Sequence, residues 1–218
     1  LEQERIVEVL QVSTRRVDAV RRRLSGAMAT CHRYRRAVLA SACEGRLTSG
    51  WRASQGEPLS NADGGAPWPV VAAGSLFEVA DYGTSVRCER DVPGGIPVLR
   101  IPNIASGRLE ISDLKFAPRK SLKAGEADVR EGDVLVCRTN GSLDLIGKAA
   151  VVRGLSRPHS FASYLIRLRV RANAVLPDFF HLFLSSPAGR DQIERESRTT
   201  AGQYNLNLRI LNQLELPL

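Results

Sequence analysis

Lysine is almost missing from this chain. Only four of its 31 basic residues are lysines: Lys115, Lys120, Lys123 and Lys148. Cysteine is also scarce. Cys31, Cys43, Cys88 and Cys137 stand far apart and form no C-x-x-C pair, which excludes a zinc ribbon and a disulfide framework. No apolar run approaches the ~20 residues of a membrane-spanning helix, which argues against a membrane location. Aromatic residues make up only 6% of the chain. Catalytic signatures are missing as well: there is no GxxxxGK[ST], no HExxH and no GxSxG. Asp113-Leu114-Lys115 holds the D-x-K end of a nuclease signature, but a triplet that short arises by chance. His32, His159 and His181 are isolated from one another in sequence. The chain does not read as an enzyme, and no residue set reads as a metal or cofactor site.

What is present is arginine, in a chain of net charge +8. A planar guanidinium makes bidentate bonds to phosphates and carboxylates. Nucleic acid is therefore the first partner implied, and an acidic protein the second.

The opening stretch, residues 2–43, has no proline, and its first glycine is Gly26. Placed in a seven-residue frame, Ile6, Leu10, Val17, Val20, Leu24, Ala27, Cys31, Tyr34 and Val38 fall three or four apart. Ser13 is the one polar occupant of that seam. The spacing predicts one helix with a narrow apolar stripe sustained over more than four heptads. Arginines cover its other faces, and Glu2 and Glu4 sit where the helix dipole favours acids. Such a helix spans roughly 60–65 Å. A domain of ~150 residues is about 30 Å across. The helix is therefore expected to overhang its own domain and to bury its stripe against another helix.

Residues 44–68 are rich in Gly, Ser, Pro, Asn and Asp, and without period; they are expected to form a linker. Residues 69–218 read as a mixed domain. Strands are predicted at 96–101, 133–138, 147–152 and 163–170, and helices at 177–184 and 187–197. Strands followed by helices give an α+β class, with short, twisted strands. Three polar loops stand out: Tyr82 to Arg87, Arg138 to Ser142, and Thr199 to Asn205. Each joins a glycine to residue types that hydrogen-bond base edges and phosphates. The same residue types also favour ordinary turns.

In order along the chain stand YGTSVRC, GGIPVLRIPNI, GDVLVCRTNGSLDLIGKAAVV, SYLIRLRV and TTAGQYNLNLRILNQLELPL. This series resembles the target-recognition domain of type I restriction–modification specificity subunits. The leading EQERIVEVL…YRRAVLASACEGRLT resembles the conserved spacer helix of the same subunits. Members of that family have two recognition domains and two helices, paired antiparallel as a ruler between DNA half-sites. One helix followed by one domain corresponds to half of that plan, or to a fragment of it.

The resemblance implies a non-catalytic, cytoplasmic subunit that reads one half of a bipartite duplex DNA target. It implies partners as well: methyltransferase subunits that bring S-adenosylmethionine, a restriction and translocase subunit, and a second copy or second half joined through the long helix. The candidate DNA contacts are Tyr82, Thr84, Ser85, Arg87, Arg100, Asn103, Arg138, Thr139, Asn140 and Lys148. The candidate helix-pairing residues are Ile6, Leu10, Val17, Val20, Leu24, Cys31 and Val38. Tyr204 and Asn205 are candidates for holding the fold. The alternative is an assembly protein whose coiled coil oligomerises and whose domain docks proteins without reading DNA.

Overall fold

The computed structural model describes residues 1–56, 68–197 and 204–218. A single helix, α1, runs from Glu2 to Cys43. It ends where Gly45 turns left-handed, at φ 76°, with the side chain of Trp68 so close that a Cβ there would clash. Most of the helix is exposed along its length. Only its last turns, around Leu39 and Cys43, are buried, and they meet the helices α3 (Pro177–Ser185) and α4 (Pro187–Glu196).

The stretch expected as linker is partly structured. Arg46–Thr48 forms a 3-10 turn and Ser49–Gln55 a short helix, α2. The reason is local: Arg52 is buried, its Nη1 donates to Thr48 Oγ1 at 2.5 Å, and its guanidinium lies over the Trp68 ring. Trp51, on the same helix, faces solvent. The remainder of the expected linker, residues 57–67, lies outside the described residues.

The domain is built on a four-stranded antiparallel sheet, in the order β2 (Phe77–Tyr82), β9 (Leu165–Val170), β5 (Val134–Cys137) and β7 (Ala149–Val151). Every residue of β5 is buried because the sheet is covered on both faces. Val134 and Val136 meet Phe180, Phe183 and Ile193 of the helix layer. Leu135 and Cys137 meet Leu99, Ile104 and Phe161 on the other side. There a three-stranded sheet lies over it: β4 (Lys115–Ala117), β3 (Ile96–Leu99) and β8 (Ser160–Phe161), with β8 parallel to β3. Two small pairs close the domain. β6 (Thr139–Asn140) joins β10 (Tyr204–Asn205), and β1 (Val70–Ala72) joins β11 (Glu215–Pro217).

The predicted strands and helices of the domain are all present, with ends shifted by a few residues. The closing run LNLRILNQLELPL holds two elements. Asn207 caps Ile210 N–H and starts a short helix, α5 (Leu208–Gln213), before β11.

Two arginines of β9 are structural. Arg167 stands opposite Asp81 across the strand pair and grips its carboxylate with Nε at 2.9 Å and Nη2 at 2.5 Å. Arg169 grips Asp133 at 2.7 and 2.8 Å. Both also donate to the main-chain oxygen of Asp128, which draws the 123–130 segment onto the sheet. The Arg130 guanidinium beside Asp128 holds that carboxyl below the usual carboxylate range. Arg167 and Asp133 are buried, so each charge needs its partner; removing one side of such a pair costs about 3–5 kcal/mol.

Candidate nucleic-acid interface

The segment after β2, the segment after β3, strand β4 and the turn before β9 enclose a groove of about 520 Å3. Its lining includes Ser85, Arg87, Cys88, Arg100, Lys115 and Tyr164. Among the described residues its lining holds three cations and no carboxylate, with the Glu89 carboxylate 3.8 Å from Arg87 just outside it. Backbone pairing fixes its shape. Thr84 N–H donates to Phe161 O and Ser163 N–H donates to Thr84 O, so the segment after β2 is stitched to the segment after β8. Gly83 is required at this crossing, because a Cβ there would meet the carbonyls of Phe161 and Ala162.

Arg100 is recessed into the groove, its side chain 22% exposed. Its Nη2 donates to the main-chain oxygen of Asp113 at 2.6 Å and approaches the Asp113 carboxylate at 3.4 Å. Asp113 holds an uncommon left-handed backbone, φ 49°. Cys88 Sγ contacts Val86 O at 3.2 Å. Burial pushes the Cys88 thiol up, while Arg100 and Lys115 act in the opposite direction. In the sheet core, burial pushes the Cys137 thiol up to about 11.

The ten candidate DNA contacts divide into groups. Ser85 and Arg87 are exposed at the groove, and Arg100 is recessed in it. Thr84 is buried, its hydroxyl accepting from Val86 N–H. Asn103 is also buried, and all its polar atoms are engaged. Its Oδ1 accepts from Arg100 N–H, and its Nδ2 donates to Glu110 O and Ser112 O. Asn103 thus ties the base of the 104–112 loop.

A second group gathers beside the groove. The Arg138 guanidinium stacks 4.4 Å from the centre of the Tyr82 ring, and Tyr82 Oη accepts from Leu208 N–H. Thr139 Oγ1 donates to Asn205 Oδ1, and Asn140 Oδ1 accepts from Ser142 N–H. Tyr204 and Asn205 therefore do join the fold, as β10. Lys148 is apart from both groups. It is exposed in a cleft of about 570 Å3 between α1 and the domain, with Arg35, Arg36, Asp144 and Asp191. The polar loop expected at Thr199–Gln203 lies outside the described residues.

Sequence reading missed two groove residues. Lys115 was passed over as part of a chance triplet, yet it sits on β4 opposite Val98. Tyr164 is 60% exposed although it is in phase with buried Ile166, because it occupies the turn before β9 rather than the strand. Alternation alone could not have singled it out.

Most of the candidate helix-pairing residues face solvent, as do Val7, Val9 and Met28 off the stripe. Ile6, Leu10, Val17, Val20, Leu24 and Cys31 are exposed. Val38 departs from the set: it is half-buried, because the last turns of α1 lie against the domain's own helices. No helix among the described residues is long and apolar enough to cross a membrane. Among them, no three His, Cys, Asp or Glu side chains gather as a metal-binding set.

No family model matches the chain. Curated relatives do. The type I restriction enzyme EcoKI specificity subunit of Escherichia coli (strain K12) is 29% identical over 207 residues, 94% of this chain and 43% of that protein. The StySPI specificity subunit of Salmonella potsdam is 27% identical over 207 residues, 94% of this chain and 42% of that protein. The chain spans less than half the length of these relatives. Among solved structures, the S subunit of the type I restriction-modification system of M. genitalium shares the fold. Its TM-score is 0.53 at 15% identity, covering 87% of this chain and 43% of that one. The long helix followed by an α+β domain is thus a shared architecture, and the ordered motifs resemble those of specificity subunits.

Proposed function

We propose that this chain is a DNA-recognition unit of a type I restriction–modification specificity subunit, reading one half of a bipartite target. One observation carries the reading: the likeness to specificity subunits runs through helix and domain alike, over 94% of the chain. The basic groove, without a carboxylate in its lining among the described residues, supports it. The assembly alternative is not favoured, since it leaves that groove without a role.

On this reading the chain catalyses nothing and works in the cytoplasm. Its helix pairs through Ile6, Leu10, Val17, Val20 and Leu24 with a second copy or second half of the subunit. Methyltransferase subunits, which bind S-adenosylmethionine, dock on the paired helices, and a restriction subunit joins them. The test is fluorescence anisotropy on the chain co-purified with its methyltransferase subunits. A randomised duplex pool should yield a target bound at least about tenfold tighter than scrambled sequence. Equal affinity for every duplex would remove the reading.

A further inference from the structure

A DNA duplex presents its base edges in recesses, while its sugar–phosphate strands stand out as ridges. Base edges are reached by protein elements that protrude. A concave protein surface instead receives a strand. The groove at Arg100 is concave, and Arg87, Arg100 and Lys115 bring three cations to it.

Arg100 is held in a way that suits one receiving contact. Its Nη2 is committed to Asp113, and its Nε is sealed without a partner. Its Nη1 makes no hydrogen bond to any described residue and is not sealed. One donor of a fixed guanidinium is thus left open. Ser85 adds a hydroxyl, and the exposed Tyr164 adds a flat ring able to lie against a sugar.

We infer that this groove seats the phosphodiester backbone of one DNA strand, with Arg87, Arg100 and Lys115 each facing a phosphate, and that it fixes register without reading sequence. The inference rests on the DNA-recognition reading above. Base readout then falls to elements that protrude beside the groove.

The experiment uses the complex with methyltransferase subunits and duplexes in which one phosphate at a time is replaced by a neutral methylphosphonate. The unmodified complex should weaken at a short run of neighbouring phosphates. Arg87→Ala and Lys115→Gln should lose affinity by the same factor for target and scrambled duplexes, and should become insensitive at those positions. Each should make the slope of log affinity against log salt shallower by about 0.9. Arg87 is almost fully exposed, so its substitution leaves the fold intact and keeps the test valid if Arg100→Ala does not fold. A loss confined to one base pair, with the salt slope unchanged, would make the groove a base reader and overturn the inference. Unchanged binding by the variants would overturn it too. A complex with no preference among duplexes would defeat the recognition reading alone, because the affinity loss and the shallower salt slope of Arg87→Ala and Lys115→Gln are read on any duplex.

Discussion

At the scale of single residues, a polar side chain's type says less than its partners do. Asn103 stood among the candidate DNA contacts, yet three hydrogen bonds of 2.8 to 3.0 Å already occupy it. Turn chemistry and base-edge chemistry draw on the same residue types, so the sequence could not separate them. Asn103→Ala leaves one donor and two acceptors without partners. It should destabilise the domain by about 2–3 kcal/mol, read by urea denaturation. His181 gives a pH effect. Its Nε2–H donates to Ala149 O at 3.0 Å, and burial pushes its pKa below the ordinary 6.5, as it does for His159. Asp178 opposes that shift and Arg35 reinforces it. The unfolded chain therefore takes up these protons at higher pH than the folded chain. Stability is complete above about pH 6.5 and falls as the pH drops from there to the folded-state values of the two rings. Denaturation midpoints between about pH 7.5 and about pH 5 should decline, and His181→Gln should flatten part of that decline.

At the scale of elements, legibility followed length. The helix α1, whose apolar spacing repeats for more than four heptads, was readable as one long element. The DVLVCR run was legible as a strand, and its burial on both faces came with the structure. Strands such as β4 and β8, with three and two residues, are too short to show a period and came only with the structure. The parallel pairing of β8 with β3 joins residues about sixty apart and leaves no local trace. The split character of α1 was also hidden, since the heptads run on into the turns that meet the domain. Two substitutions separate its parts. Leu39→Ala should destabilise the folded chain by about 2–3 kcal/mol, because Leu39 is buried in the junction with the domain. Leu24→Glu should leave the denaturation curve of the unpaired chain unchanged, because Leu24 is exposed there, while reducing the solution mass of any helix-paired species measured by light scattering.

At the scale of the whole molecule, the arginine count overstated the charge offered to a partner. Arg167, Arg169 and Arg190 are spent inside the fold, on Asp81, Asp133 and main-chain oxygens. What faces the groove is a smaller set, recognisable only once strands distant in sequence lie side by side. The family resemblance reached the right architecture because the order of motifs survives where single residues are ambiguous. It could not locate the groove, whose walls come from four separate segments.

One consequence follows from the way α1 is rooted. Among the described residues, a rod of 42 residues, about 63 Å long, is gripped near Leu39, Cys43 and the Gly45–Trp68 contact, at one end. Mechanically it is a lever with its fulcrum at one end. A turn of about 5° at that joint sweeps the far tip through about 5 Å, more than the rise of three helical residues. The handful of side chains at the joint therefore sets where the distant end of the molecule points, with an amplification that no contact along the shaft could match.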